Sequence, residues 1–383
     1  MLEKVRKLDP EKNNLVRFIE QFIFTDSPCL AFEKLDRNIF NFIVQRDKPL
    51  SLNEIRPISQ QLLVAFEALK SIGIIHSDLK LDNIMLVDQR IQPLRIKLID
   101  FGLSIPASEA KVGTRMQAGP YRSPEVYLGL PISEAIDMWS LGCVLGEMYL
   151  GNRLFCGITS YQVMKAICRL IGQPGDHLLN AGKKSSECFK MVNKFNHTRW
   201  RLKTPREYKK SSDVSSTIIK RPFDKLKSLD AAVEKHSKKN DNVEYEDRMA
   251  FLQLLKQLLD LDGNSRITPE QALTHSFVTM GHLKEDLGCS SYLPETVSMM
   301  SICTQNHSDA SDVPVNNFMK STDAIEDVSE TESSSNADTQ PNVFCQDPLI
   351  TPKTLIADNS NLEKSEDLGC SSFLKEARRL MNI

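Results

Sequence analysis

Residues 133–150, SEAIDMWSLGCVLGEMYL, are apolar around nearly their whole circumference. A helix without a polar face belongs in the middle of a domain, so the rest of the chain has to supply the layers that cover it. The same segment carries Asp137, and a carboxylate placed there needs a partner of its own.

Candidate covering elements are visible in the pattern. Residues 15–24 and 28–33 read as two strands joined by a Thr-Asp-Ser-Pro turn. Leu52, Ile55, Leu62, Phe66 and Leu69 recur at helical spacing over 52–72. Residues 84–87 and 95–99 read as a short hairpin, and 251–261 as an amphipathic helix. Thr268-Pro269-Glu270-Gln271 is a helix start, with Thr as N-cap, Pro at the first helical position and Gln closing a capping box. The globular part is expected to end near residue 283 or a little beyond.

A length of 383 residues suggests two or three domains. Net charge is only −2, so no global field points to nucleic acid or to a membrane. Locally the balance differs: residues 183–240 hold 17 Lys/Arg against 6 Asp/Glu, and residues 304–372 hold 3 against 13. Nine cysteines without any C-x-x-C, among them Cys29, Cys143, Cys156 and Cys168 in apolar surroundings, read as reduced core residues of an intracellular protein. The charged start is no signal peptide, and no uncharged apolar run reaches 18 residues.

Residues 304–365 are rich in Ser, Thr, Asn and Asp, and such a segment is expected to be disordered. Glu-Asp-Leu-Gly-Cys-Ser-Ser stands at both 285–291 and 366–372. The repeat is either a duplication without a role or a doubled docking segment. Ser329, Thr331 and Ser333 stand among acidic residues, as sites for an acidophilic kinase would.

The chemistry is concentrated in one ordered series. His76-Ser77-Asp78-Leu79-Lys80-Leu81-Asp82-Asn83 is followed by Asp100-Phe101-Gly102, then Ser123-Pro124-Glu125, then Asp137-Met138-Trp139-Ser140. Each piece alone is weak, but in this order and spacing they resemble the catalytic loop, metal-binding loop, activation-segment end and central helix of a eukaryotic protein kinase. Phosphoryl transfer needs positioning and charge neutralisation more than covalent help. Asp78 would accept or orient the proton of a substrate hydroxyl, and Lys80 would steady charge on the transferred group. Asn83 and Asp100 offer oxygens suited to Mg²⁺.

The segments SIGIIHSDLKLDNIMLVD, LGLPISEAIDMWSLGCV, WRLKTP and RITPEQALTHSFVTM resemble the homeodomain-interacting protein kinase family over roughly residues 1–303, about four-fifths of the chain. The resemblance implies an α+β fold, a mainly α-helical kinase C-lobe with a remnant of the N-lobe β-sheet, to which the composition adds a disordered acidic tail. It divides the chain into a partial N-lobe and hinge at 1–35, a C-lobe at 36–283 with an insert about 183–240, and a tail at 284–383. It implies ATP and Mg²⁺ as cofactors, with Glu33 and Leu35 offering backbone groups to adenine behind Phe32. His76 and Phe101 would pack in a core stack, Asp137 would cap the catalytic loop, and Glu125 and Arg266 would form a buried salt bridge. Partners implied are Ser/Thr-bearing protein substrates and transcription regulators, without direct nucleic-acid or membrane binding, in the nucleus or the cytoplasm. The basic stretch is then an insert, read as a solvated surface loop.

The pattern also fails in places. No G-x-G occurs, and no V-A-x-K strand precedes the catalytic loop, so the phosphate-covering loop and ATP-anchoring lysine are missing from these residues. Met1 falls about where the glutamate pairing with that lysine should stand. The expectation is an N-terminally truncated kinase, with two strands of a five-stranded lobe and uncovered apolar faces. Arg115 stands where the family has a phosphorylated tyrosine, Gly119-Pro120 replaces Arg-Tyr, and Ser77 replaces the arginine of H-R-D. Two readings stay open: a Ser/Thr kinase lacking its N-terminal portion, or a catalytically inactive pseudokinase acting as scaffold or competitor.

Overall fold

Local signals and packing agree along most of the chain. The computed structural model describes residues 1–25, 27–194, 197–211, 226–234, 242–283 and 292–304. Helix Leu52–Ser71 begins on a capping box in which the Ser51 hydroxyl accepts from the Glu54 amide and the Glu54 carboxylate accepts from the Ser51 amide. Its apolar residues Ile55, Leu62, Phe66 and Leu69 all lie in the core. The helix Ala135–Leu150 is buried from Ile136 to Leu150. Its neighbours approach closely because glycine permits it. A Cβ on Gly142 would sit 2.9 Å from Leu258 and Leu259, and one on Gly146 would sit 2.6 Å from Leu154. Trp139 stacks on Phe155 with ring centroids 5.4 Å apart.

The strands form separate two-stranded antiparallel sheets among the described residues. Phe18–Phe24 pairs with Ser27–Phe32; Ser27 and Pro28 belong to the second strand rather than to the turn. Ile84–Asp88 pairs with Gln92–Leu98, a hairpin that links the loop bearing Asp78 to the loop bearing Asp100. Leu15 bridges to Leu98 and lays the N-terminal segment beside that hairpin. On the first hairpin Ile19, Ile23 and Phe24 are exposed.

Four expectations need correction. The helix predicted at 251–261 runs over Asn242–Leu258, because Val243 and Ala250 extend its buried face further upstream. Packed structure continues past residue 283: helix Tyr292–Thr304 buries Thr296 and Ile302 and docks on helix Leu52–Ser71 through Thr296 Oγ1 and Asn53 Oδ1 at 2.5 Å. The basic stretch is not merely a solvated loop. Phe189–Lys194 and His197–Leu202 form a hairpin, Phe189, Leu229 and Val233 are buried, and Tyr208 stacks on Tyr161 at 4.3 Å. Cys156 is disulfide-bonded, whereas Cys29, Cys143, Cys168, Cys188 and Cys303 are free thiols. Both copies of the repeated segment lie outside the described residues. Among the described residues, no helix is long and apolar enough to cross a membrane.

Candidate active site

The central helix organises the loop His76–Asn83 through one carboxylate. Asp137 accepts the backbone amide of His76 at 2.7 Å and that of Ser77 at 2.8 Å. Burial pushes its pKa up to about 7 against the pull of those two amides. The bonds hold Ser77 in the left-handed region, φ 64°, a conformation that costs a non-glycine residue and persists only when over-determined. The Ser77 hydroxyl donates to the Leu103 carbonyl at 2.6 Å and so ties the loop bearing Asp78 to the segment that follows Asp100-Phe101-Gly102.

His76 lies between these two loops. Its Nε2 is 3.0 Å from the Ile99 carbonyl, its ring meets Phe101 edge-on with centroids 5.2 Å apart, and its carbonyl accepts from Ser104 Oγ. Burial lowers its pKa, so the imidazole is neutral at pH 7.

Asp78 follows and is itself buried. Lys80 Nζ donates to its Oδ2 at 2.9 Å, and Asn83 Nδ2 donates to the same oxygen at 3.1 Å and to the Asp78 carbonyl at 2.8 Å. Burial opposes the Lys80 charge, but the bond to Asp78 and the nearby Asp82 and Asp100 carboxylates outweigh it and raise its pKa. Backbone pairing brings the next residue in: the Ile99 amide donates to the Asn83 carbonyl at 3.0 Å. Asp100 follows with φ 65° and an exposed side chain, one oxygen of which accepts the Gly102 amide at 3.2 Å.

This donor set fits Mg²⁺. The Asn83 amide nitrogen is spent on Asp78, which leaves its oxygen as the available donor, and Asp100 adds an exposed carboxylate. Among the described residues no cluster of three or more His, Cys, Asp or Glu could hold a metal alone. Two protein oxygens short of a full cage suit a cation that keeps waters and takes phosphate oxygens.

Glu33 and Leu35 lie where the first hairpin meets the helical body. The Glu33 amide donates to the Arg17 carbonyl at 3.0 Å, and its side chain accepts from Arg17 N and from Lys97 Nζ, both at 2.6 Å. What Glu33 can offer a ligand here is its carbonyl. Leu35 is half-buried against the core, and Phe32, partly exposed, meets Phe18 at 5.6 Å.

Glu125 and Arg266 are paired below the site, at 2.6 and 3.0 Å. Arg266 also donates to the carbonyls of Ala135 and Asp260 and lies over the Trp139 ring.

Several buried polar contacts had no counterpart in the sequence motifs. Tyr121 OH donates to Glu147 Oε2 at 2.6 Å, with Arg153 on the other oxygen at 3.5 Å. A glutamate on an otherwise apolar helix was the available signal, as it was for Asp137. Gln117, also left-handed at φ 63°, bonds to Ile136 O, Ser140 Oγ and Ser123. Asp247, buried, accepts from Arg56, from His282 at 2.9 Å and from Tyr292 at 2.5 Å; these partners are so far apart in sequence that no motif joins them.

The protein kinase domain family model matches residues 2–278. The chain belongs to the protein kinase family. Within that family it is similar to the homeodomain-interacting protein kinases. Homeodomain-interacting protein kinase 1 of Mus musculus is 39% identical over 308 residues, 79% of this chain and 25% of the relative. The kinase 1 of Caenorhabditis elegans is 39% identical over 79% of this chain and 37% of its own length. Kinase 4 of Mus musculus is 37% identical over 74% of this chain and 48% of its own length. The chain thus spans about a quarter to a half of the relatives it matches.

Proposed function

We propose that this protein kinase's site serves ATP-dependent phosphoryl transfer to serine or threonine hydroxyls of proteins. The observation that carries the reading is the Asp78 carboxylate, bonded at once to the Lys80 ammonium and the Asn83 amide. Asp78 orients the acceptor hydroxyl and takes up its proton. Lys80 balances charge on the passing phosphoryl group. Asn83 and Asp100 would hold Mg²⁺, which when bound neutralises the phosphate oxygens. The carbonyl of Glu33 and the backbone of Leu35 would meet the adenine. Transcription regulators are the partners the family suggests, in the nucleus or the cytoplasm.

A second reading, an inactive scaffold, is favoured by a specific observation: these 383 residues contain neither a G-x-G loop nor a V-A-x-K lysine, and Arg115 stands at the phosphotyrosine position. We therefore expect the chain alone to transfer little phosphate. Fused to the glycine-rich loop and lysine strand of a similar kinase, it should phosphorylate a Ser/Thr peptide, and Asp78→Asn should remove that activity. Transfer that survives Asp78→Asn contradicts the first reading, and a folded fusion that transfers nothing leaves the scaffold.

A further inference from the structure

The insert hairpin sets like charges face to face. Lys190 stands directly opposite Arg201 in the antiparallel register, and such neighbours repel. Glu207, on helix Pro205–Ser211, answers both cations: Lys190 Nζ lies 3.1 Å and Arg201 Nη2 2.6 Å from its Oε1, and Arg201 Nη1 lies 2.7 Å from its Oε2. The bonds to Arg201, then to the Thr204 amide and Lys190, hold its carboxyl far below the ordinary range. One carboxylate is thus used up by two cations. Arg199, on the same strand as Arg201, and Arg206, Lys209 and Lys210, on the same helix as Glu207, are exposed and are in no ion pair among the described residues. The surface beneath is firm, since Trp200 Nε1 donates to Asn180 at 2.7 Å and Tyr161 OH to the Lys203 carbonyl at 2.6 Å.

We propose that this cationic face binds the acidic stretch of the same chain, residues 321–352, as an electrostatic clasp. That stretch holds seven Asp/Glu between Asp323 and Asp347 and no lysine or arginine. Its start, Ser321, is 17 residues beyond Thr304, where the last described helix ends. Seventeen residues reach up to about 60 Å, whereas a domain of about 300 residues has a radius of gyration of only about 20 Å. Tethering supplies a high effective concentration without any further contact. Because the charges are exposed, the clasp weakens with salt. Phosphates on Ser329, Thr331 or Ser333 would tighten it.

The test is zero-length carbodiimide cross-linking of the full chain, with the linked peptides identified by mass spectrometry. Links from residues 321–352 should concentrate on Lys190, Lys209 and Lys210 and fall at least fivefold in 0.5 M NaCl. Arg199→Glu with Arg206→Glu should lower the Lys209 and Lys210 links by a similar factor, although neither arginine reacts with the reagent and thermal unfolding is unchanged. Links spread evenly over exposed lysines such as Lys48, and indifferent to the two reversals, would overturn the clasp. So would salt-sensitive capture of a single-stranded RNA by the same face with no links to 321–352.

Discussion

Lys97 Nζ lies 2.6 Å from Glu33 Oε1, and the Lys97 side chain is only 1% exposed. This ion pair joins the end of the hairpin proposed to face adenine to the strand Gln92–Leu98, which ends just before Asp100, while Glu11 holds the same ammonium from the N-terminal segment at 2.5 Å. The spacing between the two ends of the proposed nucleotide site therefore rests on a buried lysine.

Lys97→Met should cost about 3 kcal/mol of stability, because it leaves Glu33 without its cation, and a urea midpoint reads that loss. In the protein that remains folded, Mg-ATP should bind about tenfold more weakly while Mg-tripolyphosphate binds unchanged. Equal losses for both ligands would contradict a hinge-positioning role.

Arg266→Met should destabilise the fold by about 3–5 kcal/mol, the range for breaking a buried pair from one side. Glu125 would stay buried without its partner, and the carbonyls of Ala135 and Asp260 would lose their donors. Replacing both partners, Glu125→Leu with Arg266→Met, should recover part of the loss. A single-variant effect under about 1 kcal/mol in chemical denaturation would contradict the burial argument.

His76 gives a pH dependence of known sign. Its folded pKa lies below the ordinary 6.5 because of burial, so its contribution is present above 6.5 and is lost as pH falls toward the folded value. Asp137, pushed up to about 7 by burial, acts in an overlapping window with the opposite sign: its contribution is lost as pH rises through 7. The wild-type unfolding midpoint minus that of His76→Phe, measured from pH 7.5 to 5.5, isolates the histidine. That difference should shrink as pH falls; a constant difference contradicts a neutral buried imidazole.

The sequence was most readable where a local rule and tertiary packing point the same way. Thr268 and Gln271 close their capping box in the structure, and the hairpin read at 84–87 and 95–99 is present with both strands slightly longer. Asp78, Lys80 and Asn83 lie within one short loop, and ladder pairing brings Asp100 beside them, so spacing alone nearly places them. Lys97 with Glu33 and Arg56 with Asp247 were hidden, because each joins residues 64 and 191 positions apart with no motif between them. The helix Tyr292–Thr304 was missed for a related reason: its buried Thr296 is polar and gives no apolar periodicity.

In the proposed function Asn83 and Asp100 hold Mg²⁺ against the phosphates of ATP beside Asp78 and Lys80. Isothermal titration of the full chain with ATP, with Mg²⁺ and with excess EDTA, tests that directly. Mg²⁺ should tighten ATP binding by at least tenfold, and Asp100→Asn should remove that gain without lowering the unfolding midpoint. ATP affinity that is the same with and without Mg²⁺, or a gain that survives Asp100→Asn, would contradict it.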